Sequence, residues 1–245
     1  IYKLPYFPDR IVHHCIMNVV EPIWEKTLIR DTYSSLKGRG VHDGVKRVKS
    51  FLKDKVGTQY CLKLDIKKFY PSIDHDILKR IIRKKVKCNN TLSLLDEIID
   101  SAPGVPIGNY LSQYFGNLYL GELDHWCKEI LRIRYYARYC DDIVVFSDNK
   151  QHLHEVYKQI ELYCRETLNL NIKGNWQVFP TRVRGVDFLG YRFFGDYTLI
   201  RKRIVIEFKK KMKTGDVNKS SVSYYGWLKH GNGHRLWMKY GSILK

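Results

Sequence analysis

Three aspartates carry the most distinctive chemistry available to this sequence. Asp65 follows the apolar run CLKL, and Asp141 and Asp142 stand alone between two strand-like runs, RIRYYARYC and IVVFS. A separation of two residues is hairpin spacing, so the aspartates are expected at a hairpin tip. Alternation sends neighbouring strand side chains to opposite faces, but a turn relaxes that rule. Asp141 can then reach the same volume as an aspartate from a neighbouring strand, for which Asp65 is the natural candidate. In a chain of formal net charge +18, three converging carboxylates would still repel one another unless divalent cations lay among them. Two Mg²⁺ ions about 3.5–4 Å apart on hard oxygen ligands can activate a primer hydroxyl and neutralise a leaving pyrophosphate. That chemistry is nucleotidyl transfer. In isolation, the same residues also read as an Asx-type turn at Asp141 and a solvated strand end at Asp65.

The elements that must position these residues follow from periodicity. TQYCLKLDIKKFY alternates Tyr60, Leu62, Leu64 and Ile66 against polar neighbours and predicts a strand ending near Pro71. Phe115, Tyr119, Leu123, Trp126 and Ile130 share one helical face before the hairpin, and a helix over 151–168 follows it. Near the start, Ile11, Cys15, Val19 and Ile23 run beside Val12, Ile16, Val20 and Trp24. Both stripes predict an amphipathic helix over 9–28 with a wide buried face, Asp9 as N-cap and a kink at Pro22. Of His13 and His14, one should be buried and one exposed. Further helices are predicted over 44–53, 74–86 and 92–99, a Pro/Gly loop at 103–108, and short strands at WQVF, DFLGYRF and YTLIR. Asp124 and His125 suggest an acid–base pair, but on a regular helix without a third partner they read as helix-surface residues. Arg39 in KGRGVHDG reads either as a turn residue or as a contact to template or triphosphate. This order predicts an α+β class with an antiparallel sheet covered on one face.

Several of these segments resemble reverse transcriptases. LKLDIKKFYPSI is similar to the first palm motif of that family, RYCDDIVVF to its YxDD motif, and DFLGYRF to the strand that grips the primer. They fall in the family order over most of the chain. The resemblance implies a right-hand polymerase, with partial fingers at 1–60, a palm at 61–199 with finger insertions near 80–105, and a helical basic thumb at 200–245. It implies that Asp65 and Asp141 coordinate two Mg²⁺ ions, with Mn²⁺ able to substitute, that Asp142 assists, and that the Ile66 carbonyl is a further ligand. Tyr70, five residues after Asp65, matches the aromatic gate beneath the incoming sugar, where a ring at C2′ would exclude ribonucleotides. A core aromatic at a strand end is the other reading. The backbone of Lys68 and Phe69 would lie along the triphosphate, and Tyr139, Phe188, Leu189 and Gly190 against primer and template. Cys140 stands where the family often has Met or Ala and reads as a small buried hydrophobe. Lys173, in LNLNIKGNWQV, departs from a family motif like LxLNxxKT whose lysine would protonate pyrophosphate.

The segment GVPIGNYLSQYFGNLYLGELDHW narrows the resemblance. Many reverse transcriptases carry PQG where this chain has PIG, so Ile107 replaces a Gln that touches the incoming nucleotide, with Gly108 beside it and Ser112 and Gln113 following. IGxxxSQ is similar to the diversity-generating retroelement branch, as are FPDRIVHH, YSSLKGRGVHDG, LDHW, VDFLGYR and SYYGWLKHGNGH. Those enzymes copy a template RNA and misincorporate opposite adenine. Loss of a polar contact to the nascent pair weakens discrimination; an ordinary apolar loop anchor is the alternative reading of Ile107. The branch implies a structured template RNA and a small basic accessory protein as partners, alongside the RNA–DNA duplex and dNTPs. A defence-associated or group II intron-like reverse transcriptase is the runner-up. A catalytically idle nucleic-acid-binding relative is third, and the presence of all three aspartates speaks against it.

Composition agrees with these expectations. The 245 residues are 44% hydrophobic, 13% aromatic and 28% charged, outside the range of disordered, collagenous or coiled-coil chains. The excess of Lys and Arg makes a polyanion the expected partner. From Arg201 to the end there are 12 basic and 2 acidic residues. Lys209, Lys210 and Lys211 there would contact phosphates in a sequence-independent, salt-sensitive way, unless they are simply a solvated helix face. Six singly spread cysteines and nine histidines without zinc spacing favour a reducing cytoplasm and no structural zinc. No apolar stretch approaches the roughly 20 residues of a membrane span, and no signal peptide is recognisable. Because IYKLPYF already reads as structured, the chain is expected to begin inside a longer protein. In the relatives a basic fingertip strand with a triphosphate-binding Arg would precede Ile1.

Overall fold

The computed structural model describes residues 6–106, 110–213 and 217–240. At its centre are β1 (Thr32–Tyr33), β2 (Tyr60–Asp65), β3 (Tyr135–Tyr139), β4 (Asp142–Ser147) and β5 (Gln177–Pro180), in the order β1-β3-β4-β2-β5. Every pairing in this sheet is antiparallel except the edge pair β1–β3. Alternation along β2 and β4 sends Leu62, Leu64, Ile143 and Val145 to one core and Cys61, Val144 and Phe146 to another. Both faces are therefore covered, which corrects the expectation of a single covered face: the alternate residues of these strands are apolar too.

On the first face lie α1 (Ile11–Glu25), α3 (His75–Arg83), α4 (Asn89–Asp100), α5 (Tyr110–His125) and α6 (Lys150–Leu168). Asp74 caps α3 by accepting from the Ile77 amide, and Asn149 caps α6 through the amides of Gln151 and His152. On the second face lie α2 (Val41–Phe51) and a three-stranded sheet of β6 (Val186–Phe188), β7 (Tyr191–Phe193) and β8 (Thr198–Ile200), preceded by the short α7 (Thr181–Arg184). The basic tail forms α8 (Lys202–Lys213), α9 (Val217–His230) and α10 (His234–Tyr240), whose Phe208, Met212 and Leu228 join the second core.

Three local expectations change. Only one of the two stripes on α1 is buried, through Ile16, Val20 and Trp24, with Met17 and His13 beside them. Ile11, Val19 and Ile23 face solvent, because α1 meets α5 along one side, where Trp24 lies against Tyr114 and Phe115. Asp9 is not the cap; the chain enters α1 through a kinked segment at Tyr6–Arg10 in which Phe7 is extended. DFLGYRF is two strands and not one, joined by Leu189 (φ 55°) and Gly190 (φ 79°), the paired left-handed residues of a tight hairpin. No described helix is long and apolar enough to cross a membrane.

Candidate active site

Asp65 ends β2, and its register partner across β4 is Asp142. Directly opposed residues of an antiparallel pair present their side chains on the same side, so this register brings two of the three carboxylates together. The turn itself is Cys140–Asp141: Asp142 already belongs to β4 and pairs with Tyr139. Cys140 takes φ 55° to reverse the chain. The Asp141 carbonyl accepts from the Ile66 amide at 3.3 Å, and the Cys140 amide donates to the Tyr33 carbonyl at 3.3 Å. The tip is thus fastened to β2 and β1, and Ile66, expected as a carbonyl ligand, is a fully buried core residue at that fastening.

The carboxylates are crowded. Burial and then the charge of Asp65 raise the pKa of Asp141. Burial pushes Asp142 up to about 6, with Lys63 partly opposing the shift. Lys63 Nζ lies 3.3 Å from Asp142 Oδ2 and also donates to the Asp187 carbonyl, while Lys173 Nζ lies 2.6 Å from Asp65 Oδ1. Asp142 Oδ1 is buried without a hydrogen-bond partner. Crowded hard oxygens, one of them orphaned, are a donor set suited to Mg²⁺ or Mn²⁺. Among the described residues, no three His, Cys, Asp or Glu side chains form a ready-made metal cage; the two lysines provide the counter-charge. Lys63 was not singled out from sequence, although its place two residues before Asp65 put it on the same strand face.

Asp142 also makes a prediction. Its folded pKa lies above the unfolded value, so its contribution to stability is complete below about pH 4 and is lost as pH rises through about 6. Asp142→Asn should stabilise the metal-free protein above about pH 7 by on the order of 2 kcal/mol and much less near pH 4. Urea unfolding at the two pH values tests this, and an equal gain at both would contradict it.

After β2 the chain passes exposed Lys68 (φ 47°) and buried Phe69 into a turn at Tyr70–Ser72. The Tyr70 hydroxyl lies 3.4 Å from Cys140 Sγ, which sets the ring beneath the hairpin tip. Burial raises its pKa. The rings of Phe69 and Tyr70 rest on Gly116 of α5, where a Cβ would stand 3.1 Å from each. The Val105 amide donates to the Tyr70 carbonyl at 2.9 Å, tying the 103–106 loop to this tyrosine. Ile107 and Gly108 lie outside the described residues. Gln113 is half-buried in the first turn of α5.

Of the residues expected along primer and template, Tyr139 is half-buried, whereas Phe188 and Leu189 are buried in the second core. Gly190 lies under the Trp227 indole, where a Cβ would approach within 2.5 Å. Lys63 joins this hairpin to Asp142 through the Asp187 carbonyl. Lys209 Nζ sits 5.6 Å from the Tyr240 ring centre and Lys211 Nζ 5.7 Å from that of Tyr224, while Lys210 is exposed. Arg39 donates to the carbonyls of Ile29 and Glu25, at 2.8 and 3.3 Å, and braces its own loop.

Asp124 overturns its expected surface position. It is fully buried and ion-paired with equally buried Arg138 of β3 at 2.6 Å. Nearly every side of α5 is covered, and Asp124 lies on the side that meets the sheet, where Arg138 supplies its counter-charge. His125 points elsewhere, to Glu129 and the Thr27 carbonyl, and forms no dyad with Asp124.

A palm-like sheet with a carboxylate-bearing hairpin opposite a carboxylate strand end is accompanied by a family match: residues 2–193 fit the reverse transcriptase (RNA-dependent DNA polymerase) family, and the chain belongs to it. Protein YkfC of Escherichia coli is 25% identical over 244 residues, covering 82% of this chain and 63% of YkfC. The group II intron-encoded protein LtrA of Lactococcus lactis is 24% identical over 138 residues, covering 52% of this chain and 22% of LtrA. The chain thus spans less than two thirds of either relative. Telomerase from Candida tropicalis, solved with the TWJ fragment of telomeric RNA, shares the fold with a TM-score of 0.56 at 14% identity, over 84% of this chain and 41% of that one.

Proposed function

We propose that the protein is an RNA-directed DNA polymerase that makes cDNA from a template RNA, with Asp65 and Asp141 as metal ligands and Asp142 assisting. The observation that carries this reading is the β2–β4 register, which opposes Asp65 to Asp142 with Asp141 next to it at the tip. Metal ions bound by these oxygens would supply activation of the primer hydroxyl and neutralisation of the leaving pyrophosphate. Lys63 favours the charged form of Asp142, and the backbone bonds at Cys140 and Asp141 hold the tip in place. In this reading residues 1–60 are partial fingers, 61–199 the palm with finger insertions near 80–105, and 200–245 the thumb. The basic tail would track the phosphates of an RNA–DNA duplex. Primer extension on a defined RNA with dNTPs and Mg²⁺ or Mn²⁺ tests the reading, and a folded protein that extends nothing would reject it.

Tyr70 acts as the sugar gate in this scheme, supported by its place beneath the hairpin tip. Tyr70→Ala should admit ribonucleotides that the parent rejects, by on the order of tenfold or more in relative incorporation. Equal ribonucleotide use by parent and variant would return Tyr70 to a packing role.

For the branch, IGxxxSQ supports a diversity-generating enzyme with Ile107 at the nascent pair, a structured template RNA and a small basic accessory protein. Similarity to an intron-encoded protein supports the second reading, a group II intron-like enzyme. Deep sequencing of cDNA made on one RNA, with the accessory protein present, separates them. The first reading expects errors concentrated at template adenines and an error spectrum altered about fivefold by Ile107→Gln; accuracy at adenine favours the second. Either enzyme would work in the cytoplasm, a reading supported by the singly spread cysteines.

A further inference from the structure

The tip that carries Asp141 is held by a side chain as well as by backbone bonds. Arg138, the penultimate residue of β3, directs Nε and Nη2 to the Asp124 carboxylate at 2.8 and 2.6 Å, and Nη2 also to the Asn117 carbonyl at 3.3 Å. Its Nη1 donates to Asn117 Oδ1 at 3.3 Å and to the Cys140 carbonyl at 2.9 Å. Asp124 is fixed in turn by the hydroxyls of Thr32 and Tyr136, each at 2.6 Å. The Cys140 carbonyl belongs to the peptide bond leading into Asp141, and Cys140 sits at φ 55°, where a non-glycine residue remains only if its surroundings hold it. The bond from Arg138 is shorter than the two backbone bonds to this turn, which are 3.3 Å each, and than the 3.4 Å contact of the Tyr70 hydroxyl with Cys140 Sγ.

We propose that the buried Asp124–Arg138 pair is a positioning device for Asp141, fixing the Cys140–Asp141 peptide and so the direction in which the Asp141 carboxylate leaves the turn. Stability alone is a poor reason for the pair. Taking two charges out of water costs about as much as their attraction returns, and apolar pairs of similar volume often do as well or better. A lysine could supply the charge but not the fork that joins α5 to the turn. The consequence for catalysis rests on the polymerase reading, whereas the geometry does not. A displacement of about 1 Å at a reacting group can cost on the order of a hundredfold in rate.

The test is the full chain carrying Asp124→Leu together with Arg138→Met, which removes both charges and keeps the bulk. The double variant should lose less stability than Asp124→Ala, because no buried charge is left unpaired, although the hydroxyls of Thr32 and Tyr136 still lose their acceptor. Amide exchange at Cys140 and Asp141 should speed up by about tenfold, and binding of Mn²⁺ alone, followed by electron paramagnetic resonance, should weaken about fivefold. Single-turnover incorporation should fall at least about tenfold with template–primer affinity unchanged. If the double variant does not fold, Arg138→Lys provides the same readouts with the charge retained. Parent-like exchange and Mn²⁺ affinity in a folded variant would overturn the proposal. If the exchange and Mn²⁺ changes appear but the parent extends no primer, the positioning role stands and the polymerase reading fails.

Discussion

Asp141→Asn is expected to lower DNA synthesis in Mg²⁺ by about a thousandfold, equivalent to roughly 4 kcal/mol of transition-state stabilisation. Asparagine keeps the size of the side chain and one oxygen but removes the charge at the turn. Folding does not suffer: burial and the neighbouring Asp65 raise the pKa of Asp141, so its ionised form is strained in the metal-free protein and neutralising it relieves that strain. Loss of activity would therefore come without loss of structure. Single-turnover primer extension, run beside filter binding of the same RNA, separates the two quantities; RNA affinity should stay within about twofold of the parent. Near-normal extension by the variant would remove Asp141 from the metal site. Activity restored by higher Mg²⁺ would instead show that the charge serves affinity for the ion.

Asp124→Ala is expected to destabilise the fold by about 3–5 kcal/mol. The substitution leaves the Arg138 guanidinium fully buried without its counter-charge and strips the hydroxyls of Thr32 and Tyr136 of their acceptor. Surface ion pairs behave differently. Arg165 with Glu166, both well exposed, should contribute less than about 1 kcal/mol, and Glu166→Ala serves as the control. Urea denaturation of the two variants measures the contrast. A cost for Asp124→Ala as small as the control's would mean that water reaches Arg138, and the buried network would lose its meaning.

Much of the site was legible before folding was considered. Alternation in TQYCLKLDIKKFY marked a strand, although one expected to run to near Pro71 where the structure ends it at Asp65, and two residues between RIRYYARYC and IVVFS marked a hairpin. Strand periodicity and turn spacing are local, and residue type alone declares what chemistry a carboxylate can do. Other features depended on residues far apart in the chain. Whether the turn was Asp141–Asp142 or Cys140–Asp141 followed from pairing with β2, because a shift of one residue exchanges the faces of every side chain. The hairpin in DFLGYRF lacked the Asn-Gly or Asp-Gly signal that marks such turns, and its left-handed Leu189 is held by burial in the second core. Lys173 reaches Asp65, and Asp124 reaches Arg138, only after strands and helices dock. The sequence by itself determined the local elements and the chemistry of the aspartates. The tertiary structure decided which charge faces which, since strand register and helix docking bring together groups that no periodicity connects.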